Sequence, residues 1–163
     1  GGGYPELYAS KLADNESLRR EILAAAHRGM PIFAECGGFM YLARSIEVEG
    51  RNYPMVELYP FSTRMLPHRK ALGYREVVLK EDSLLGPKGL KARGHEFHYS
   101  ELIGDPGKHP DLFHLSSRKG IQYCTDGFML DNTLAGYIHL HFGSNPAMAA
   151  HFVDSCREYQ EKS

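Results

Sequence analysis

Cysteine is scarce in this chain: Cys36, Cys124 and Cys156 lie far apart among 163 residues. An odd, scattered set builds no disulfide framework, and free thiols fit a reducing cytoplasm. Net charge is nearly absent too. A formal value of −1 offers no basic surface for nucleic acid and no polybasic face for an anionic membrane. No apolar run reaches the length that spans a bilayer, and no charged-then-apolar leader opens the chain. There is no C-x-x-C pair, no P-loop Lys-Ser/Thr and no internal repeat. A starting methionine is also missing. Gly1-Gly2-Gly3-Tyr4-Pro5 reads as the middle of a longer chain, with a tag remnant as the alternative for the first one or two glycines.

What is present is ordinary for a globular protein. Hydrophobic residues make up 42% and charged residues 24%, and the length suits one domain with its own core. Residues 14–28 predict a helix, with Asn15 as N-cap and Glu16 in its first turn. Leu18, Ile22, Ala25 and Ala26 mark its apolar face, Gly29 stops it and Pro31 follows. Residues 31–35 then suit a strand buried on both faces, as in a parallel sheet. Residues 39–43 start another helix. Prolines at 54, 60 and 67 break the next stretch into extended pieces. Further strands are predicted at 74–79, 92–99 and 133–142, with a loop near 104–110. Asn145-Pro146 opens a last helix, whose apolar face carries Ala149, Phe152, Val153 and Cys156. The order of helix, strand, tight turn and helix is α/β grammar, with an open, mostly parallel sheet and flanking helices.

Cys36 has the most informative surroundings. A buried strand, the run Ala34-Glu35-Cys36-Gly37-Gly38 and a helix match the logic of a nucleophile elbow. A side chain on such a turn projects out of the sheet, and the glycines allow the tight path. The helix N-terminus beneath is expected to favour thiolate and lower the pKa. The Gly37 N–H is placed to stabilise a developing oxyanion. The bland alternative is a buried structural cysteine in a tight turn. Cys124 and Cys156 lack this context, and Cys156 falls on a helix's apolar face.

A cysteine nucleophile needs a base. His139 and His141, in GYIHLHF, end an apolar run and share a strand face. They are expected at the edge of an α/β sheet where ligands bind. Glu96 and His98, in GHEFHYS, share a face in the same way. These four groups also allow a metal-site reading, although the absence of clustered thiols argues for no metal. His98, His141 and Glu96 each have a structural reading as hydrogen-bonding groups. The glycine-rich start is either a loop with N–H groups facing a site or a loose terminus.

Four segments taken together resemble a known family: residues 1–8 (GGGYPELY), 34–42 (AECGGFMYL), 94–100 (GHEFHYS) and 137–146 (YIHLHFGSNP). They are similar to the C-terminal glutaminase domains of cobyrinic acid and hydrogenobyrinic acid a,c-diamide synthases. The resemblance runs through nearly the whole chain in order. It implies a class I glutamine amidotransferase-like, flavodoxin-like fold, here lacking its opening strands. It implies that Cys36 attacks the glutamine side-chain amide, that His139 is the catalytic histidine, and that Gly2 and Gly3 border the oxyanion hole. Ordinary class I glutaminases carry Glu two residues after that histidine. Here the position is His141, so the orienting group is open, with Glu96 as a candidate.

The resemblance also implies an ATP- and Mg2+-dependent synthetase domain outside this chain. No cofactor is expected on residues 1–163. Glutamine is the expected partner, the corrinoid is reached through the other domain, and a homodimer is an open expectation. Four alternatives stand beside this reading: amidation of a nickel tetrapyrrole, amidation of the other cobyric acid side chains, an unrelated small cysteine hydrolase, and an inactive fragment with an exposed edge strand.

Overall fold

The structure is a computed structural model that describes residues 1–107, 111–117, 120, 122–123 and 126–162. Cys124 and the last three residues of the loop predicted at 104–110 lie outside the described residues. After a 3-10 turn at Pro5–Tyr8 come α1 (Ala9–Asp14) and α2 (Glu16–His27). The Asn15 side chain accepts the Leu18 N–H at 3.3 Å, satisfying a donor that the helix start leaves unpaired. Gly29, at φ +81°, ends α2 in the left-handed region. Ala25 and Ala26 are buried, but Leu18 is exposed, so the apolar face of α2 is narrower than its spacing predicts.

The strand β1 (Ile32–Glu35) follows, then α3 (Gly37–Leu42). Next come β2 (Ser45–Val48), β3 (Arg51–Pro54), β4 (Ser62–Met65), β5 (Ala71–Leu79), β6 (Lys91–His98) and β7 (Ser100–Ile103). The chain continues through β8 (Phe113–Ser116), β9 (Gln122–Tyr123), β10 (Phe128–Leu130), β11 (Thr133–Gly136), β12 (His139–His141) and α4 (Pro146–Lys162). Among the described residues the strands form three sheets, ordered β1-β11-β10, β12-β6-β5-β8-β9 and β3-β2-β4-β7. The fold is α/β, but its sheets are mixed rather than mostly parallel. Among the described pairings, β1 with β11 and β2 with β4 run parallel and the rest are antiparallel. Short connections explain this. The turn at Glu49-Gly50, with both φ positive, folds β2 directly onto β3, whereas parallel neighbours need a crossover.

Two apolar clusters carry the sheets. In the first, Phe39 of α3 is wholly buried. Its ring lies 4.9–6.5 Å from those of Tyr59, Phe61, Phe128 and Tyr137. Aromatic packing of this kind adds about 0.5–1.5 kcal/mol per pair to area burial, so α3 is a firm base for the residue before it.

The single strand predicted at 133–142 is two strands in different sheets. β11 pairs with β1, while β12 pairs with β6. Between them, the buried carboxylate of Asp126 accepts the N–H groups of Tyr137 at 2.8 Å and Ile138 at 3.0 Å. Those donors are thereby withdrawn from any continuing ladder, and the chain changes sheets at that point. α4 begins as predicted, with the Asn145 side chain accepting the Ala147 N–H. Its buried anchor is Met148, and Val153 is exposed.

Candidate active site

The parallel register of β1 and β11 brings Glu35 opposite Gly136. Both strands end on one edge, where open α/β sheets bind ligands. Cys36 is the next residue after β1. Its N–H donates to the Gly136 carbonyl at 2.7 Å, and its φ is +49°, a conformation that costs a non-glycine residue on the order of 1–3 kcal/mol. The following glycines are required by close approach. A Cβ on Gly37 would stand 2.8 Å from the Gly3 nitrogen, so the glycine loop lies directly on the elbow. The Gly38 N–H also donates to the Gly1 carbonyl at 3.1 Å.

The thiol is buried, at 7% exposure, and donates toward the Phe97 carbonyl at 3.7 Å. Burial pushes it up to about 11, against the downward pull of the Gly37 N–H. This corrects the expectation of a lowered pKa. The charges of Glu6, Asp126 and Glu35 add to the rise. A one-turn helix start does not outweigh desolvation plus three carboxylates.

His139 opens β12 in register with His95 of β6. The two rings stack with centroids 4.5 Å apart and planes 7° from parallel. A Cβ on Gly2 would overlap the His139 ring, so the glycine loop closes over this side chain as well. Burial, then the neighbouring His95, holds the His139 pKa below the ordinary imidazole value, which keeps the ring neutral at pH 7. A cavity of about 350 Å3 is lined by Cys36, His139, Gly2, Gly3, Glu6 and His95. That falls within the rough 300–1,000 Å3 range of small-molecule sites. Behind the stacked histidines a second cavity, of about 790 Å3, touches His139 and His141 but not Cys36.

Glu96 and His98 belong to a different arrangement. Glu96 accepts from His98 Nε2 at 2.9 Å and from Arg75 at 2.8 and 3.0 Å. Burial alone would raise its pKa, but His98 and Arg75 outweigh burial and hold it low. His98 Nδ1 donates to the Ser100 carbonyl at 2.7 Å, and the ring stacks on Tyr137 at 3.8 Å. Both oxygens of Glu96 are therefore engaged away from His139. Among the described residues, no three His, Cys, Asp or Glu side chains cluster as metal ligands. His141 is exposed.

Four contributors escaped the sequence reading: Glu6, Glu35, His95 and Asp126. Three lay inside the segments already singled out, and Glu35 adjoins the nucleophile. Asp126 carried no visible signal, because it acts through backbone groups eleven and twelve residues away.

A family model for CobB/CobQ-like glutamine amidotransferase domains matches residues 1–147. This chain belongs to the CobB/CobQ-like glutamine amidotransferase family. Relatives of the amidotransferase domain include the cobyrinate a,c-diamide synthase of Leptospira interrogans, 44% identical over 96% of this chain and 35% of that protein. The cobyrinate a,c-diamide synthase of Syntrophotalea carbinolica is 43% identical over the same shares. The chain thus spans about a third of the length of the curated relatives it matches. Solved glutamine amidotransferases share the fold. One superposes with a TM-score of 0.62 at 15% identity, covering 91% of this chain and 72% of that one. Another, from Thermotoga maritima, gives 0.54 at 16%, covering 99% and 62%. No helix among the described residues of the amidotransferase domain is long and apolar enough to cross a membrane.

Proposed function

We propose that the domain hydrolyses glutamine to glutamate and ammonia, as the glutaminase part of a longer a,c-diamide synthase acting on cobyrinic acid in cobalamin biosynthesis. The observation that carries the hydrolytic reading is one cavity bordered by an elbow thiol, a neutral half-buried imidazole and a close-packed glycine loop. The names of the relatives support the corrinoid. Their greater length supports a separate synthetase domain, and the free thiols Cys36 and Cys156 fit a cytoplasmic setting.

In the reaction, His139 accepts the Cys36 proton as Sγ bonds to the side-chain carbonyl carbon of glutamine. The carbonyl oxygen takes the negative charge, facing the Gly37 N–H and the Gly2–Gly3 loop. When the carbon–nitrogen bond breaks, His139 returns the proton to the nitrogen, which leaves as ammonia. Water, deprotonated by His139, then attacks the thioester carbonyl. The carbon–sulfur bond breaks, releasing glutamate and restoring the thiol. A resting thiol near 11 suits this order, because the proton moves only when substrate is present.

ATP and Mg2+ do not fit the described residues. The glycine loop packs on Gly37 and His139 and lacks the lysine and hydroxyl of a phosphate loop. No step here runs through them. The deciding experiment incubates the full-length protein with glutamine, ATP and candidate tetrapyrroles, and weighs the product. A cobyrinate that gains two amides supports the proposal. Amidation of a nickel tetrapyrrole alone moves the substrate, and release of no glutamate ends the glutaminase reading.

A further inference from the structure

We infer that Glu6 is the residue that selects free glutamine, by receiving its α-ammonium group. This inference rests on the glutaminase reading of the same cavity.

Glu6 follows Pro5, which is buried and opens the 3-10 turn after the glycine loop. The Pro5 ring lies against the elbow, where a Cβ on Gly37 would approach it to 3.1 Å. The backbone at Glu6 is therefore held against the residue that follows the nucleophile. Among the described residues lining the 350 Å3 cavity, Glu6 is the one carboxylate, and no lysine or arginine lines it. Among the described ion pairs, none includes Glu6.

This placement is costly twice over. Burial raises the Glu6 carboxyl above its ordinary value, against the smaller downward pull of its own backbone N–H. Its charge also opposes formation of the Cys36 thiolate. Half-buried carboxylates normally find a cation or several donors. A ligand that brings a positive charge into the cavity removes both costs together. Free glutamine carries an ammonium at one end and the reactive amide at the other. A glutamine residue inside a peptide, or an analogue without the amino group, has no such charge. The ammonium thus does two jobs. It holds the amide facing Cys36, and by compensating Glu6 it makes the thiol easier to deprotonate once the correct substrate is bound.

The test compares L-glutamine with glutaramate, the same molecule without its α-amino group, in the full-length protein. Glutamate or glutarate release is followed at pH 7.5. The wild-type protein is expected to prefer glutamine in kcat/KM by about 10- to 100-fold, the scale of one hydrogen bond to a charged group. In Glu6→Gln this preference should collapse toward one, mainly through KM for glutamine, and Glu6→Asp should restore part of it. The pH profile of Cys36 alkylation without substrate should move down in Glu6→Gln. A merely structural role would leave the glutamine-to-glutaramate ratio unchanged. A preference retained in Glu6→Gln overturns the inference. So does a wild-type protein that hydrolyses both compounds equally, a result independent of how any variant folds. A wild-type protein that hydrolyses neither compound removes the glutaminase reading itself, and is told apart because no variant is involved.

Discussion

The Glu35 carboxylate accepts the Leu140 N–H at 2.7 Å. Glu35 immediately precedes Cys36, and Leu140 immediately follows His139. A single bond therefore joins the strand that presents the thiol to the strand that presents the imidazole, although the two belong to different sheets. Glu35→Gln keeps an acceptor at this point and should retain most glutamine hydrolysis. Glu35→Ala frees β12 from the elbow and should lower kcat by roughly 10- to 100-fold, the scale of a small misplacement of a catalytic group. Steady-state kinetics on both variants check this, and equal losses would mean that the bond does not position the base.

The thiol gives a pH signature. Because its pKa is pushed up to about 11, alkylation of resting Cys36 by iodoacetamide should rise about tenfold per pH unit from 7 to 10, with no plateau. The folded form holds this proton more tightly than the unfolded form, whose ordinary value is 9.0. The Cys36 share of stability therefore falls as pH climbs from 9.0 to about 11. A glutamine-mimicking diazo-ketone should still label Cys36 at pH 7.5, since the proposed mechanism hands the thiol proton to His139 when the site is filled. Peptide mapping that finds the label on Cys156 would remove the nucleophile assignment.

His139 and His141 are separable by experiment. His139 shares a cavity with Cys36, while His141 is exposed and lines the larger cavity but not the one that holds Cys36. His139→Ala in the full-length protein should lower glutamine-dependent turnover by roughly 10²–10⁴-fold, the usual scale for losing a general base. His141→Ala should cost clearly less. Ammonia supplied directly should bypass the defect in His139→Ala. The opposite order of damage with glutamine would exchange the two roles.

Asp126 should matter for stability and for placing His139. Asp126→Ala leaves the N–H groups of Tyr137 and Ile138 without their acceptor, at about 1–3 kcal/mol for each. Asp126→Asn keeps one oxygen and should fall between. Burial raises the Asp126 pKa from 3.8 to about 6, so the folded form binds the extra proton across that window. Its share of stability therefore declines as pH rises from 3.8 to about 6. Urea unfolding across this range should show a decline in the wild-type protein that is missing in Asp126→Asn.

Much of the site was legible because its parts are local. Asn15 capping α2, Gly29 ending it, and the strand, elbow and helix around Cys36 all depend on neighbours within a few residues. Propensity, glycine conformation and apolar runs describe such neighbours directly. The four family segments likewise stood in order along the chain. The expectation of a lowered thiol pKa fails first because burial, which only the packed fold sets, raises it, and then because Glu6 and Asp126, which add to the rise, are distant in sequence from residue 36.

By itself, then, the sequence determined the elements and the chemistry: a cysteine on a glycine-lined turn, a histidine-bearing strand and an α/β order. Only the tertiary structure decided the partners. His95 rather than Glu96 lies on His139, because β6 and β12 pair in that register. Glu96 instead serves His98 and Arg75. The apolar run through residue 142 looked like one strand, yet Asp126 divides it, since side-chain oxygens and a neighbouring strand compete for the same N–H groups. Periodicity along a chain records which way each side chain points. It carries no information on which distant strand lies opposite, and in this protein that choice brings the thiol, the imidazole and Glu6 to one cavity.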